Sequence, residues 1–183
     1  MPLSPSVPSH FAQISAGFTL TVGTWAELKP AARAVRHAVF VVEQGIPVEL
    51  EWDEWDDTSL HAVVLDPNRL PVGTGRLLPA AFDPDAPATG HIGRMAVLAA
   101  ARRTQVGSAI LLALMRAAPT NGFRDIVLHA QSYVAPFYAR HGFHIEGDEF
   151  IEAGIPHRTM RALVLPRTPL LPPLPQEPTG PGA

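Results

Sequence analysis

Three observations on the sequence predict an α/β domain with a mixed sheet. Strand-like segments come first, a strand–helix–strand–helix unit follows, and a further strand-like segment ends the pattern, which is an order typical of this class. Hydrophobic residues make up 46% of the chain and charged residues 17%, a balance that supports a buried core. The 183 residues suit one domain and leave little room for two.

The first three elements follow from propensity and spacing. Residues 18–22 combine aromatic and β-branched side chains and predict a strand. Pro30 suits the first turn of a helix, and apolar side chains recur at helical spacing from residue 31 to residue 42. Residues 43–57 are mostly polar and acidic, which predicts a loop or a broken helix before the next strand.

Three strands are predicted in the middle of the chain. Residues 61–65 and 71–78 are rich in apolar side chains, and the dipeptide at Pro67 and Asn68 fits a hairpin turn between them. Residues 92–98 predict a further strand, which runs directly into a loop and then into the clearest helical pattern of the sequence.

That helix covers residues 106–118, where apolar side chains share one face, and it ends before Gly122. Residues 126–128 form a short, fully apolar strand, as expected when both faces of a sheet are covered. Two elements complete the domain: a helix over residues 134–141 and a strand over residues 159–165.

Proline marks both ends of the chain. Of its 20 prolines, three lie in the first ten residues and seven lie from Pro166 onward. Because proline lacks an N–H donor and fixes φ, the last segment cannot form a helix or a strand ladder. We therefore expect a flexible N-terminal segment over residues 1–16, a folded domain over residues 17–165 and a proline-rich tail over residues 166–183.

Composition excludes several classes of function. The chain has no cysteine, so disulfides, a cysteine nucleophile and thiolate metal sites are excluded, and we expect no metal. The formal net charge of −3 gives no basic footprint for nucleic acid. No apolar run approaches the roughly 20 residues of a membrane span, and the first ten residues do not form a secretory signal. We expect a cytoplasmic protein without a membrane or nucleic-acid partner.

The junction at residues 94–110 carries the strongest chemical pattern. A strand runs into a loop that holds Arg102 and Arg103, and the helix that follows begins with Gly107 and Ser108. A helix N-terminus has unpaired N–H groups and a partial positive charge, and two guanidinium groups beside it would make a diphosphate cradle. A solvated loop that needs glycine for a turn explains the same residues equally well.

A second pattern covers residues 137–143. Tyr138 lies in a short helix that Gly142 ends, and Phe143 follows. Aromatic side chains at such a place are usually part of the core. A phenol with a pKa near 10 also stays protonated at neutral pH and can donate a proton to a leaving thiolate.

Together the two patterns resemble the GNAT superfamily of N-acetyltransferases. Residues 102–107 are similar to its coenzyme A signature, R/Q-x-x-G-x-G/A, and residues 137–143 are similar to its later tyrosine motif. Residues 38–47, 129–131 and 152–157 resemble the ElaA-like subgroup. The chain departs from the family pattern at two positions: Gln105 replaces the first glycine of the phosphate loop and Ser132 replaces a common asparagine.

The resemblance implies a fold and a donor site. The fold would be a mixed, mostly antiparallel central sheet flanked by helices, with parallel fourth and fifth strands that splay around the donor. The donor substrate would be acetyl-CoA, held by the following residues: Met95, Ala96, Val97, Arg102, Arg103, Thr104, Gln105, Val106, Gly107, Ser108, Gln131, Phe137 and Tyr138. Tyr138 would act as the general acid. The acetyl group would pass directly to a primary amine of a small molecule or peptide, and homodimers are common among such proteins.

The acceptor side is less defined by the sequence. An amine must lose a proton before it attacks, and the candidates for the base are Glu43, Glu51, Asp53, His61, His91 and His129. Glu43 is the first choice because it lies where the first helix ends. His129 is the second, although a structural histidine is the more common finding at the end of a buried strand.

Alternative functions remain open at this point. The acids of residues 43–57 would favour a cationic acceptor, or they form a solvated loop in which Trp52 and Trp55 are anchors. Five residues follow a spacing that resembles a pattern of acyl-homoserine-lactone synthases, enzymes that use S-adenosylmethionine. These residues are Arg36, Phe40, Glu51, Asp53 and Asp56. A third alternative is a module that binds acetyl-CoA without turnover.

Overall fold

Seven strands form one sheet in the computed structural model, which describes residue 14 and residues 16–164. The strands are β1 (Thr19–Thr24), β2 (Leu60–Leu65), β3 (Pro71–Leu77), β4 (Thr89–Val97), β5 (Asp125–Gln131), β6 (His144–Glu152) and β7 (Ile155–Leu163). Their order across the sheet is β1-β2-β3-β4-β5-β7-β6. Every neighbouring pair is antiparallel except β4 and β5, which are parallel, and this confirms the expected fold class.

Helices cover both faces of this sheet. They are α1 (Trp25–Arg36), which continues as a π-helix (His37–Glu43), α2 (Val48–Glu51), α3 (Val106–Ala117) and α4 (Ala135–Ala139). Along β2, Val63 packs with the α1 residues Trp25 and Ala32, whereas its neighbours Ala62 and Val64 belong to the core under α3. Because side chains alternate between the faces of a strand, α1 and α3 lie on opposite faces.

Close packing of α3 on β3 depends on two glycines. A Cβ atom at Gly73 would lie 2.6 Å from a methyl carbon of Val106, and one at Gly75 would lie 2.7 Å from a methyl carbon of Ile110. Both separations are too short for carbon atoms. β3 therefore has no side chains at these two positions, and α3 packs directly against the strand backbone. This contact fixes the start of α3 against the centre of the sheet.

The structure corrects the predicted start of the first helix. The expected start was Pro30, but α1 begins at Trp25 and contains Pro30 in its interior. The cause is a cap: the backbone N–H and the hydroxyl of Thr24 both donate to Glu27 Oε2 at 2.8 Å. This pairing satisfies a donor at the helix start and so extends the helix one turn toward the N-terminus.

The structure also adds a strand that the sequence did not predict. β6 (His144–Glu152) is the edge strand, and most of its side chains are exposed on both faces, so it has no apolar alternation to detect. Gly147 has φ of 70° within it, and the register with β7 shifts between Glu146 and Phe150. The last strand, β7, begins at Ile155 rather than at residue 159 because it pairs with this edge.

Other boundaries agree with the sequence to within a few residues. β4 begins at Thr89 rather than at residue 92, and the acidic stretch contains only α2 and a 3₁₀ turn (Asp56–Thr58), as a broken helix would. The predicted N-terminal segment, apart from residues 14 and 16, and the proline-rich tail lie outside the described residues.

Candidate functional site

A cleft opens where the two parallel strands separate. β4 and β5 pair only where residues 89–91 face residues 125–127. Beyond that point β4 continues beside β3 as far as Val97, and β5 continues beside β7 as far as Gln131. The cleft between them has a volume of about 1110 Å³. The splayed fourth and fifth strands expected from the sequence are therefore present.

A β-bulge shapes the β4 side of the cleft. Thr74 faces Ala96 and Arg76 faces Gly93, so one residue of β3 stands opposite two residues of β4, Arg94 and Met95. Arg94 adopts φ of 52° at this bulge. Among the described residues, no strand pairs with residues 92–97 of β4 on the side that faces β5. This strand edge leaves backbone hydrogen-bonding groups available to a bound molecule.

The loop before α3 contains the predicted phosphate-binding residues. Gln105 is the N-cap of α3 and adopts φ of 69° and ψ of 0°, the left-handed conformation that glycine adopts without strain. Its side chain is exposed. Gly107 lies in the first helical turn, where an added Cβ atom would meet the ring of Phe137 at 3.5 Å and a methyl of Val97 at 3.7 Å. The helix N-terminus thus lies beside the cleft wall.

Two of the predicted phosphate-binding side chains are engaged within the protein. Arg102 Nη2 lies 2.6 Å from Glu43 Oε2, and its Nε donates to the carbonyl of Val97 at 3.1 Å. The Thr104 hydroxyl donates to the carbonyl of Ala101 at 2.5 Å. The hydrogen bond from Arg102 holds the pKa of Glu43 below its usual value. A carboxylate stabilised in this way is a weak proton acceptor.

Tyr138 lies in α4, at the wall of the same cleft. Its side chain is 7% exposed and packs edge-to-face between Phe137 and Phe143, with ring centroids 5.0 and 5.9 Å away. Burial raises the pKa of Tyr138 above its usual value, so the phenol is protonated at neutral pH. Gly142 has φ of 88° in the turn after α4, which ends at Ala139, two residues before the predicted end at residue 141. Tyr138 and Phe137 both line the cleft.

Gln131 joins the two walls at the rim. Its side-chain amide donates to Gln44 Oε1 at 3.0 Å, and the hydroxyl of Tyr133 donates to Gln131 Oε1 at 2.7 Å. Gln44 follows the π-helix, and Gln131 is the last residue of β5. This predicted donor-binding residue therefore connects the end of the π-helix to the end of β5.

The acidic stretch is held in a ring of alternating charges, four of whose six members are buried. Each of six residues contacts two neighbours of opposite charge, and the ring closes in this order: Arg36, Glu51, Arg94, Asp53, Arg76 and Asp56. Its N–O distances run from 2.5 to 3.5 Å. The arginines come from α1, β3 and the β4 bulge. The ring is balanced, with three charges of each sign, and it fixes the acidic stretch to the sheet.

Sequence reasoning did not single out two members of this ring, Arg76 and Arg94. A signal for Arg76 was present, because an arginine within the otherwise uncharged strand PVGTGRL must find a carboxylate if the strand is buried. Arg94 gave no such signal, because its role depends on the bulge that turns it toward Glu51 and Asp53.

The histidine candidates for the base differ in their surroundings. His61 is buried with its Nε2 2.9 Å from the carbonyl of Asp56 and its ring 4.7 Å from that of Trp25, which is a structural environment. His91 lies at the fork of the strands, with Nε2 3.4 Å from Asp83 Oδ2. Burial lowers the pKa of His91, although Asp83 acts in the opposite direction. A neutral imidazole at neutral pH is able to accept a proton.

His129 is exposed rather than buried at the end of its strand. Its Nδ1 lies 3.3 Å from Glu152 Oε2, and its ring meets Phe150 edge-to-face at 4.9 Å. Within residues 16–164 no helix is long and apolar enough to cross a membrane. In the same part of the chain, no group of three or more His, Asp or Glu side chains is arranged to hold a metal ion.

The cleft has structural counterparts among acyltransferases of lower sequence similarity. BjaI, a CoA-dependent acyl-homoserine lactone synthase solved with SAM and isopentyl-CoA, matches with a TM-score of 0.66 and 15% identity, over 81% of this chain and 84% of that one. At this identity the likeness shows a shared fold alone. The lactone-synthase resemblance noted in the sequence therefore gains no functional support from it.

Closer matches define the family. The acetyltransferase (GNAT) domain matches residues 34–164. The uncharacterized N-acetyltransferase YjcF of Bacillus subtilis is 40% identical over 127 residues, which cover 69% of this chain and 86% of that protein. The crystal structure of Escherichia coli ElaA matches with a TM-score of 0.69 and 27% identity, over 79% of this chain and 99% of that one. This chain is a member of the GNAT superfamily of acetyltransferases.

Proposed function

We propose that the protein transfers an acetyl group from acetyl-CoA directly to a primary amine of a small molecule or peptide. The observation that carries this proposal is the splayed β4–β5 cleft, because an anion-binding helix terminus, an unpaired strand edge and a protonated phenol all face it. A cytoplasmic location and a homodimeric state are parts of the same proposal, and sedimentation analysis tests the second.

The donor would be held mainly by backbone groups. The first N–H groups of α3, near Gly107 and Ser108, and the exposed guanidinium of Arg103 would bind the diphosphate. The edge of β4 from Met95 to Val97 would pair with the amides of the pantetheine arm, as another strand would. Arg102, engaged with Glu43 and Val97, would contribute through its charge and by fixing the loop.

The remaining predicted contacts complete the donor site. Gln105 would offer its backbone N–H at the N-cap, with its exposed side chain directed away from the diphosphate. Val106 is buried under β3 and would fix the first turn of α3, and Thr104 would brace the loop through Ala101. Ala96, Gln131 and Phe137 would line the walls.

Direct transfer needs an acid and a base from this chain. Bound acetyl-CoA supplies a thioester as the activated acyl group. A base first takes a proton from the ammonium form of the acceptor and releases it to water. The free amine then forms a C–N bond as the C–S bond breaks, and Tyr138 donates its proton to the leaving sulfur. The second proton of the amine returns to the phenolate through solvent, so the products are an amide and a thiol.

We propose His91 as that base in preference to Glu43. Burial favours the neutral imidazole of His91, whose Nε2 lies 3.4 Å from Asp83 Oδ2, whereas Glu43 is stabilised as a carboxylate by Arg102. His91 and Met95 are four residues apart on β4, which is at most about 13 Å at 3.3 Å per residue. Water molecules would therefore carry the proton between the amine and the ring.

The proposal is tested with Tyr138→Phe. Phenylalanine keeps the packing against Phe137 and Phe143 but removes the acidic proton, so kcat should fall by about 10²- to 10⁴-fold while the Kd for acetyl-CoA stays within twofold. Stopped assays of thiol release and isothermal titration measure the two quantities. Tyr133→Phe is the comparison: it removes the chain's other phenol and its hydrogen bond to Gln131, and it should not bring the same fall in kcat.

The outcomes separate three functions. Equal losses of kcat and affinity in Tyr138→Phe would make Tyr138 a packing residue. Acetyl-CoA binding without transfer to any amine would favour the non-catalytic module. Binding of S-adenosylmethionine in place of acetyl-CoA would favour the lactone synthase, although the carboxylates of that resemblance are already accounted for by the charge ring.

A further inference from the structure

A hollow in the floor of the cleft lies at Gly93. A Cβ atom built on Gly93 meets no described atom within 4 Å, whereas a Cβ on Gly73 or Gly75 would collide with α3. Gly93 lines the cleft and lies between His91 and the bulge that begins at Arg94. Gly93 thus leaves open space next to His91, the proposed base.

Aromatic rings form one side of the cleft at this hollow. Phe82 meets His91 edge-to-face with centroids 5.0 Å apart, and Trp55 meets Phe82 in the same way at 5.4 Å. All three side chains line the cleft, and Phe82 is 38% exposed. An exposed aromatic face at the wall of a concave site is suited to packing against an apolar or aromatic ligand.

The acids of the acidic stretch that line the cleft are paired with an arginine. They are Glu51 and Asp53, and Arg94 lies within 3.5 Å of each of them. The acidic stretch that suggested a polycationic acceptor is therefore neutralised where it meets the cleft. A polyamine would therefore find neither of these two carboxylates free.

We propose that the acceptor is a primary amine carried on a compact aromatic body, of the arylalkylamine class. Its nitrogen lies over Gly93, between His91 and the bulge, and its ring packs against Phe82 and Trp55. This inference rests on the proposed acetyltransferase activity and assigns the acceptor of that same cleft. Discrimination comes from the aromatic wall and from the space at Gly93, not from charge.

The test uses phenethylamine as the probe, with spermidine and glycine as comparison amines. We expect kcat/KM for phenethylamine to exceed that for either comparison amine by at least about tenfold, which corresponds to about 1.4 kcal/mol. Gly93→Val fills the hollow and should raise KM for phenethylamine by about tenfold or more. The Kd for acetyl-CoA, measured by isothermal titration, should stay within twofold.

A second variant, Phe82→Ala, tests the acceptor proposal even if Gly93→Val does not fold. Phe82 is exposed, so Phe82→Ala should leave the fold intact and still raise KM for phenethylamine about tenfold. Leu70→Ala is the matched control, because Leu70 is an exposed apolar residue in the β2–β3 turn. It should change neither KM for phenethylamine nor the Kd for acetyl-CoA. Titration of phenethylamine into the protein saturated with coenzyme A gives a readout that does not depend on turnover.

The outcomes distinguish the acceptor from the activity. If spermidine is the better substrate, or if Gly93→Val and Phe82→Ala leave phenethylamine binding unchanged, the arylalkylamine assignment is overturned while the acetyltransferase stands. If acetyl-CoA itself does not bind, the proposed function fails, and the acceptor assignment fails with it.

Discussion

Gln105 occupies a conformation that the coenzyme A loop otherwise gives to glycine. A non-glycine residue in the left-handed region costs about 1–2 kcal/mol, and this cost falls on the residue that precedes α3. Glycine adopts the same conformation without this cost, so Gln105 is a position at which a glycine should make the loop more stable.

We predict that Gln105→Gly stabilises the protein by about 1 kcal/mol and tightens acetyl-CoA binding. Urea unfolding measures the first effect and isothermal titration the second. Arg69→Gly is the matched control, since Arg69 has φ of 63° in the β2–β3 turn, and it should bring a similar gain in stability with unchanged binding. A loss of stability in Gln105→Gly would show that the side chain of Gln105 has a role in the loop.

The proposed base, His91, predicts a particular dependence of activity on pH. A base must be unprotonated to act, so kcat/KM should fall as the pH drops through its pKa. Burial lowers the pKa of His91, and we therefore expect the acidic limb of the profile below about pH 6.5. His91→Gln should abolish this limb and lower kcat by about 10²-fold or more.

Glu43→Gln provides the comparison. It removes the carboxylate that pairs with Arg102 and should leave the pH profile in place. If the limb survives in His91→Gln and disappears in Glu43→Gln, Glu43 is the base, as the sequence suggested. The sequence could not separate the two, because the partners of each, Arg102 and Asp83, are set by the fold.

At the scale of elements, local chemistry explains what the sequence predicted. α3 and the β2–β3 hairpin were found because their apolar spacing and turn residues act within a few positions. β6 was missed because its only support is pairing with β7, and α1 was placed late because the Thr24–Glu27 cap outweighed the presence of Pro30. The charge ring was missed for the same reason, since its members come from four separate segments.

The ring is the element-scale feature with the largest predicted effect on stability. Arg36 is 1% exposed and contacts Glu51 and Asp56, so Arg36→Met would leave two buried carboxylates without this partner. We expect a loss of about 3–5 kcal/mol in the free energy of unfolding. Arg158→Met removes a partly exposed arginine 3.6 Å from Glu149 and should cost less than about 1 kcal/mol.

Urea unfolding of Arg36→Met and Arg158→Met measures the contribution of the ring to the free energy of unfolding. A loss below about 1 kcal/mol in Arg36→Met would mean that the ring contributes little, and that the acidic stretch is held by its aromatic residues. In the expected case, the ring fixes three of the seven acids of this segment in place: Glu51, Asp53 and Asp56.

At the scale of the whole molecule, the cleft joins the two faces of the sheet to one site. In the proposed function, helix α3 on one face would supply the anion-binding terminus and the stretch after α1 on the other face would supply the acceptor side. The splay of β4 and β5 would let them meet. The sequence predicted this arrangement through its family resemblance. It could not predict the space at Gly93, which depends on what the other elements leave open.

The donor should therefore stabilise the whole domain, because a ligand that binds the splayed strands binds only the folded state. At 100 times its Kd, acetyl-CoA should add about 2.7 kcal/mol, which corresponds to a rise in Tm of about 5–10 °C. Gly107→Trp would fill the space between α3 and Phe137 and should abolish this shift, whereas Leu70→Trp in the β2–β3 turn should keep it. Differential scanning calorimetry measures the shift in Tm for both variants. An undiminished shift in Gly107→Trp would move the donor away from the start of α3, and the cleft would then bind coenzyme A by another route.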